Sequence, residues 1–476
     1  MNSHIRNLLI AIAVGILVVY YKLCGLINDR SGKVGRAVLK RMDNGSLHLP
    51  LTETKTTILI WYTEAKYLKE FQPDTERGRQ RKKINEGLYT LKDCPKCLFA
   101  TNKSYLPSSH AVLVDYTVES SNHFNQSGNA KIRNLNFSDL EKIQENTNSR
   151  YLIAWPRESA AKFKEDYLKR VIIENSVENI IDRSFNLTMS YRRDSDIHIT
   201  NFGSREILLK SIYENRKLAS ETAESEGRGE NELNELNDDY FMARILKDKN
   251  RSNNDDPTQP NTLWVVSNCN KTTQAAKRFD LAQKLINNGL KLKGLGECFN
   301  EKVPGTNNRW NENENLKTQY KFYLAFENGK HCKDYISEKF WTNSLVYERV
   351  PIVYGPSKSD LEAVAPEHSF IHVEDFGDGN DDEGLKKLVD YINYLDKNDT
   401  AYMEYHKWRL ERPPSDSKAP YMSKMSNKWC ALCDDVSDRR ERNFPKSTIP
   451  SIAKWWFREM DDDECLKGEL NFLDAL

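Results

Sequence analysis

The sequence has no excess of charge of either sign, because its 476 residues include 70 Lys and Arg and 70 Asp and Glu. A general nucleic-acid-binding protein needs a basic face that displaces counterions from phosphates, so we predict that nucleic acid is not a partner. Large apolar residues are scarce across residues 215–261, which are acidic and rich in Ser, Gly and Asn. Such a stretch buries too little surface to offset the entropy of ordering it, and we interpret it as a partly disordered linker between two domains.

One long apolar run stands at the N-terminus. Leu8 to Tyr21 contains no charged residue, and the run extends to Ile27 if the Lys22 side chain snorkels. A helix of about 20 residues is long enough to cross a bilayer. We therefore predict a transmembrane signal anchor over residues 8–27, preceded by a cytoplasmic tail (1–7) and followed by a polar stem (28–54). A cleaved signal peptide is the alternative.

Seven Asn-X-Ser/Thr triplets follow the predicted anchor. Because such triplets are N-glycosylation acceptors in secreted proteins, they predict that the body of the chain faces the secretory lumen. They begin at Asn44, Asn102, Asn125, Asn136, Asn186, Asn270 and Asn398.

The chain has nine cysteines, of which Cys24 lies in the predicted anchor. Two CxxC pairs, Cys94 with Cys97 and Cys430 with Cys433, have the spacing of a four-thiolate zinc site if the intervening segment brings them close. The lumen is oxidising, so we favour disulfides that link the two ends of the body.

Short apolar runs alternate with helical patterns in two series. Residues 57–61, 111–116 and 150–155 have the length and β-branched content of buried strands, and a strand ending near Thr200 closes the first series. A second series of strands and helices begins at residue 262. This alternation predicts parallel sheets covered on both faces, with a ligand at the carboxyl ends of the strands. The predicted domains are 55–214 and 262–425, followed by a tail (426–476) that carries the second CxxC.

Ionisable side chains crowd one predicted strand-to-helix junction, FENGKHCKDYISEKF. Ser337 is placed to cap the helix, and Lys339 falls in its first turn, where the helix dipole is already positive. An ammonium there indicates an anion, and a diphosphate would use the free amides, the dipole and the lysine together. Glu338 would accept hydrogen bonds from ribose hydroxyls. A solvated first turn with no ligand is the alternative.

The stretch from Tyr320 to Phe376 resembles the signature region of the α1,3-fucosyltransferases, and the form around Cys332 resembles invertebrate members. Weaker similarity covers roughly residues 57–210 and 262–435, where SFNLTMSYRRDSDIHIT resembles the acceptor-domain motif. The resemblance implies the GT-B arrangement, in which two Rossmann-like domains face a central cleft and the C-terminal one holds GDP-fucose.

The resemblance also implies which residues bind GDP-fucose. They are Arg278 (with Lys277 adjacent), Lys321, Asn328, Tyr335, Glu338 and Lys339. Glu338 would contact the ribose, Lys339 and Tyr335 the diphosphate, and Lys321 and Arg278 the phosphates. A disulfide between two of Cys269, Cys298 and Cys332 would fix this loop.

The catalytic base implied by the resemblance is Glu158. The family has a glutamate in an E-S-P context after a strand, and this chain has Glu158-Ser159 without the proline, with Pro156 earlier instead. Without the resemblance, Glu158 is interpreted as a carboxylate in the first turn of a helix.

No metal or other cofactor is required in this interpretation, because Lys339, Lys321 and Arg278 would neutralise the diphosphate. Stimulation by a divalent metal stays open. Asp194 to Asp196 has the Asp-X-Asp form of a metal site, and we interpret it as structural because it lies inside the acceptor motif.

The resemblance thus implies an inverting α1,3-fucosyltransferase, anchored in the Golgi membrane as a type II protein. It would transfer L-fucose from GDP-fucose to a GlcNAc hydroxyl of an N-glycan or lactosamine chain on a glycoprotein. A glycan-binding relative without turnover and an enzyme that acts on a protein hydroxyl are the alternatives, and a homodimer stays open.

Overall fold

Two β-sheets organise the computed structural model of the chain. The described residues are 55–62, 88–91, 93–115, 150–156, 184–199, 203–225, 238–250, 259–270, 273–303, 316, 319–377, 379, 381–413, 428–450, 452, 455, 456 and 465. The predicted anchor and stem lie outside them, as does Glu158. Residues Lys55–Leu476 form one compact unit.

The first sheet has seven strands in the order β2-β3-β1-β4-β5-β6-β7. Strand β2 runs antiparallel to β3, and the other neighbours pair in parallel. The strands are β1 (Thr56–Tyr62), β2 (Leu88–Leu91), β3 (Cys94–Ala100), β4 (Ala111–Asp115), β5 (Tyr151–Trp155), β6 (Leu187–Ser190) and β7 (Ile197–His198).

The second sheet has five parallel strands in the order β12-β11-β10-β8-β9. They are β8 (Thr262–Val265), β9 (Leu292–Leu295), β10 (Phe322–Phe326), β11 (Val350–Tyr354) and β12 (Ile371–His372). Every residue of β10 and β11 is buried, as expected for parallel strands with both faces covered.

The α-helices are α1 (Arg205–Ser225), α2 (Asp238–Asn250), α3 (Thr273–Asn287), α4 (Glu338–Phe340), α5 (Lys358–Val364), α6 (Asp382–Lys397), α7 (Asp399–Glu404) and α8 (Lys428–Glu441). Helix α4 continues as a π-helical turn, Trp341–Val346. Short 3₁₀ helices span Lys103–Ser108, Glu297–Phe299, Val373–Phe376 and Lys407–Leu410.

The mixed α/β class with parallel sheets is confirmed, and the predicted buried runs form strands β1, β4, β5 and β8 to β12. Helix α6 illustrates how the local sequence determines an element. The Asp381 carboxylate caps it by accepting hydrogen bonds from the Glu383 and Gly384 amides, and its apolar residues lie on one face. They pack against the second sheet together with α3.

The predicted linker over residues 215–261 needs correction, because α1 and α2 occupy much of it. In α2 the side chains of Phe241, Ile245 and Lys249 recur every fourth residue on one buried face. The Lys249 ammonium donates to the Tyr347 carbonyl at 2.6 Å. The packed face of α2 therefore includes a buried lysine, although the polar composition of residues 215–261 predicts little packing.

Two further expectations differ from the structure. The strand predicted to end near Thr200 is interrupted by the turn Tyr191–Asp196, which separates β6 from β7. The CxxC tail is part of the first sheet's core, since α8 packs against that sheet. Its Trp429 ring makes edge contacts with Phe99 and Trp155, at 6.0 and 5.7 Å between ring centroids.

Candidate functional site

The carboxyl ends of β10 and β11 meet at one edge of the second sheet. The Glu327 amide donates to the Tyr354 carbonyl at 2.9 Å. Gly355 follows with a φ of 122°, and a Cβ at this position would lie 2.8 Å from the Cβ of Glu327. Glycine therefore allows the loop after β10 to lie against the end of β11.

An ion cluster forms where this loop enters α4. The Lys339 ammonium lies 2.8 Å from the Ser337 hydroxyl, 3.0 Å from a Glu327 oxygen and 3.2 Å from a Glu338 oxygen. The other Glu327 oxygen accepts from the Ser337 amide at 2.8 Å. Ser337 is the N-cap of α4, as the sequence predicts. Three partners thus fix the position of one ammonium.

Sequence reasoning missed Glu327. Its side chain is 1% exposed, whereas that of Glu338 is 46% exposed. The sequence does contain an indication of this role. A carboxylate that directly follows the buried run of β10 needs a buried partner for its charge.

The electrostatics of the cluster keep Lys339 and Glu338 ionised. Burial alone would lower the pKa of Lys339, but the carboxylates of Glu327 and Glu338 outweigh burial and raise it. Burial alone would raise the pKa of Glu338, and the adjacent ammonium outweighs it, so this pKa is lowered. The lysine therefore remains a cation at any physiological pH.

Arg278 of α3 supports the same edge of the sheet. Its guanidinium donates to the carbonyls of Phe326 at 2.7 Å and Asn268 at 2.9 Å. Burial lowers its pKa, and Glu327 opposes that effect. The two candidates for the phosphate-binding cation of this helix differ in exposure: Arg278 is buried, whereas Lys277 is exposed. Arg278 is therefore the one that lies at this edge of the sheet.

The structure brings five of the predicted donor residues together at this edge. Tyr335 is buried in the loop before α4, and Asn328 follows Glu327 directly. The assembled residues are Arg278, Asn328, Tyr335, Glu338 and Lys339. His331 lies on the same loop and contacts Glu374 at 3.1 Å.

Lys321 does not join them, which corrects the prediction that it contacts the phosphates. It precedes β10, and therefore lies at the opposite end of that strand from Glu327. Its ammonium donates to the Asp396 carbonyl at 2.7 Å and to an Asp399 oxygen at 3.1 Å. A five-residue strand separates the two ends by about 17 Å, too far for Lys321 to share a diphosphate with Lys339.

The predicted disulfides between the two ends of the body are present, whereas the cysteine of the loop before α4 has a partner that was not predicted. Cys94 pairs with Cys430 and Cys97 with Cys433, so the two CxxC motifs are bridged rather than arranged as a zinc site. Cys269 pairs with Cys298. Cys332 of the loop pairs with Cys465, which no sequence motif singled out.

Four predicted glycosylation asparagines are described. Asn270 is exposed. The side-chain oxygens of Asn102, Asn186 and Asn398 each accept a hydrogen bond from a backbone N–H group. Asn44, Asn125 and Asn136 lie outside the described residues.

The carboxylates of the Asp-X-Asp stretch have protein partners. Asp194 contacts Arg192 and Lys333, and one Asp196 oxygen accepts from the Thr188 amide and hydroxyl, both at 2.8 Å. Within the described part of the chain, no group of three or more His, Cys, Asp or Glu side chains is placed to hold a metal ion.

A cavity of about 390 Å³ lies between α1, α2 and the turn Trp341–Val346. Arg244 on its wall is paired with Glu348 at 2.5 Å. None of the described site residues predicted from the sequence lines it.

Comparison with known protein families identifies the chain. A model described as "Glycosyltransferase family 10 (fucosyltransferase) C-term" matches residues 257–455, and one described as "Fucosyltransferase, N-terminal" matches residues 53–202. The chain belongs to glycosyltransferase family 10. The resemblance seen in the signature region is thereby confirmed, and the ion cluster lies within the C-terminal match.

Several curated fucosyltransferases are similar to this chain. A 3-galactosyl-N-acetylglucosaminide 4-alpha-L-fucosyltransferase of Bos taurus is 31% identical over 58% of this chain and 58% of its own length. An alpha-(1,3)-fucosyltransferase of Caenorhabditis elegans is 29% identical over 41% of this chain and 48% of its own. A glycoprotein 3-alpha-L-fucosyltransferase A of Drosophila melanogaster is 30% identical over 46% of this chain and 39% of its own. The chain thus spans about half the length of these relatives.

Among the described residues, none of the helices combines the length and the apolar character needed to cross a membrane. The predicted anchor at residues 8–27 lies outside the described residues.

Proposed function

We propose that the chain is an inverting α1,3-fucosyltransferase that uses GDP-fucose as donor and combines its two sheets in the GT-B arrangement. The observation that carries the proposal is the ammonium of Lys339, held by Ser337 and Glu327 at the start of α4 in a family 10 chain. A cation fixed at a helix N-terminus is a suitable receptor for a diphosphate.

The three partners of the ammonium suggest how a diphosphate enters. Glu327 is 1% exposed and Ser337 is buried, but the Glu338 side chain is 46% exposed. Glu338 is therefore the partner that a phosphate oxygen replaces most easily. Its carboxylate is then free to accept hydrogen bonds from the ribose hydroxyls.

The transfer step needs a base on the acceptor side, and we propose Glu158 for it. A hydroxyl oxygen of the acceptor attacks the anomeric carbon, and Glu158 takes the hydroxyl proton. The bond from that carbon to the phosphate oxygen breaks on the opposite face, and its electron pair leaves with GDP. The cations of Lys339 and Arg278 stabilise the developing charge, and Tyr335 donates its hydroxyl proton to the diphosphate in a hydrogen bond.

In this proposal the fixed cations make a metal or cofactor unnecessary. The acceptor is a GlcNAc hydroxyl of an N-glycan or lactosamine chain. The apolar run over residues 8–27 and the glycosylation triplets after it support a type II protein of the Golgi membrane.

The test is an assay of purified Lys55–Leu476 with GDP-fucose and a panel of defined glycans. We expect GDP release and an α1,3-linked product, because the donor and acceptor sides are both in this unit. Glu158→Gln should reduce turnover by a factor of about 100 or more, since it keeps the size of the side chain and removes the base.

Glycan binding without GDP release would favour the non-catalytic relative instead. Fucose found on a Ser or Thr hydroxyl by mass spectrometry would move the acceptor to protein. Full turnover in Glu158→Gln would remove Glu158 from the mechanism.

A further inference from the structure

A turn of the first sheet directly contacts the loop that joins β10 to α4 in the second, residues 327–337, which we call the donor loop. The turn Tyr191–Asp196 joins β6 to β7, and Arg193 lies within it. The Arg193 amide donates to one Asp334 oxygen at 2.8 Å, and its guanidinium donates to the other oxygen at 2.5 Å. Both oxygens of one buried carboxylate are therefore used by one residue of the other sheet.

Asp360 contacts both Arg193 and Asp334, so the three residues form one hydrogen-bonded network. It accepts from the Arg193 guanidinium at 2.7 Å and from the Asp334 amide at 3.1 Å. Asp360 is itself fixed in the first turn of α5, where the Ser357 hydroxyl accepts from its amide. Arg193 thus bridges two carboxylates that belong to different elements of the second sheet's domain.

The conformation of Asp334 makes the contact relevant to the donor site. Asp334 has a φ of 57°, a left-handed conformation that a residue other than glycine needs support to hold. The next residue is Tyr335, and the Ile336 amide donates to the Asp334 carbonyl at 3.0 Å. The turn that Arg193 holds therefore directly precedes Ser337 and Lys339.

A second contact from the same turn supports Tyr335 itself. The rings of Tyr191 and Tyr335 meet edge to face, with 5.2 Å between their centroids. Asp194 and Lys333 add an ion pair at 3.2 Å. The turn of the first sheet therefore flanks the donor loop on both sides of Asp334.

We propose that Arg193, a residue of the acceptor-side motif, is a positioning residue for the nucleotide donor. The inference rests on the proposed function. Arg193 acts through Asp334, whose turn sets where Tyr335 and Lys339 meet the diphosphate. It also ties the donor loop to the first sheet, whose strand β5 precedes Glu158 in the sequence.

An ordinary surface ion pair would have a different signature. The Arg193 side chain is 43% exposed, but those of its partners Asp334 and Asp360 are 5% and 13% exposed, so the contact is partly buried. Loss of nucleotide affinity in a variant that still folds is therefore the signature of positioning, whereas unchanged affinity with a lower melting temperature is that of a merely structural contact.

The experiment measures GDP binding by calorimetry with the full chain, purified in detergent, as wild type and as variants. Arg193→Ala should weaken GDP binding by about tenfold, since the donor loop loses its support. Asp334→Asn should do the same. Asparagine tolerates the left-handed conformation, so this variant removes the charge and leaves the backbone in place.

Two further variants separate positioning from general damage. The double variant Arg193→Ala/Asp334→Asn should bind GDP no more weakly than either single variant, because both act through one contact. Lys293→Ala, which removes the exposed pair with Glu301, is the matched control and should bind like wild type. Arg193→Lys keeps the charge but not the two-pronged contact, and it should recover only part of the affinity.

The outcomes are distinguishable. Wild-type affinity in folded Arg193→Ala and Asp334→Asn would overturn the inference and leave the proposed function intact. Additive losses in the double variant would also overturn it. A wild-type chain that does not bind GDP would overturn the proposed function, and this inference with it. If Arg193→Ala fails to fold, Arg193→Lys and Asp334→Asn decide the question on the same readout.

Discussion

A lysine with little solvent exposure lies near each end of strand β10, and the two lysines have different surroundings. At the amino end, the Lys321 side chain is 2% exposed and contacts Asp396 and Asp399 where α6 meets α7. It also lies over the Tyr402 ring, 5.1 Å from its centroid. At the carboxyl end, the Lys339 side chain is 16% exposed and one of its partners, Glu338, faces solvent.

The difference shows that a lysine's position on the sheet decides its role more than its burial or its charge. The amino end of a parallel strand is covered by the ends of preceding helices, whose carbonyls suit a permanent cation. The carboxyl end opens to loops and to helix N-termini, where amides stay available for a ligand. We therefore expect a structural role for Lys321 and anion binding at Lys339.

The most stringent test of this comparison is the variant Lys339→Ala. We expect transfer of fucose to fall by about 100-fold or more, because the leaving diphosphate loses its fixed cation. The measurement is turnover of GDP-fucose per folded molecule. Turnover within about twofold of wild type, the range expected for Lys293→Ala, would contradict the account.

Lys321→Met tests the other end of the strand. The variant keeps the length of the side chain and removes two hydrogen bonds from a buried ammonium, so unfolding should become easier by about 2 kcal/mol. Turnover per folded molecule should not change. Denaturant unfolding and the GDP-fucose assay measure the two effects, and a stable but inactive variant would return Lys321 to the donor site.

The smallest expected effect concerns Glu374, which contacts His331 and Lys330 of the donor loop at the carboxyl end of β10. Hydrogen bonds from His331, opposed by burial, and from Lys330 lower its pKa from 4.5 to about 2. A lowered carboxyl pKa stabilises the fold above pH 4.5, and this contribution is lost as the pH falls from 4.5 towards 2.

Glu374→Gln should therefore unfold more easily than wild type by about 1–2 kcal/mol at pH 7, after allowance for solvent screening, and by much less near pH 2.5. The measurement is the free energy of unfolding in denaturant at both pH values. An equal difference at both would show that the ion pairs of Glu374 contribute nothing.

Much of this fold was predictable from local patterns. The runs that became β10 and β11 are continuous and apolar, and Ser337 precedes its helix with the residue type that a cap requires. Asn328, Tyr335, Glu338 and Lys339 are close in the chain, so their meeting at one edge needed no long-range information.

The features that the sequence predicted wrongly or did not predict depend on contacts between distant segments. Lys321 was assigned by resemblance, and only the fold shows that the strand points it away from Lys339. Cys465 pairs with Cys332 across a separation of 133 residues, and no spacing rule identifies such a partner. The contact of Arg193 with Asp334 likewise joins a turn of the first sheet to a loop of the second.

The most direct test of the central claim is GDP binding in the presence of a metal chelator, compared among wild type, Lys339→Ala and Lys321→Met. The account predicts that wild type and Lys321→Met bind GDP equally well with chelator, and that Lys339→Ala binds about tenfold more weakly or worse. Binding that disappears with chelator, or that survives unchanged in Lys339→Ala, would contradict it.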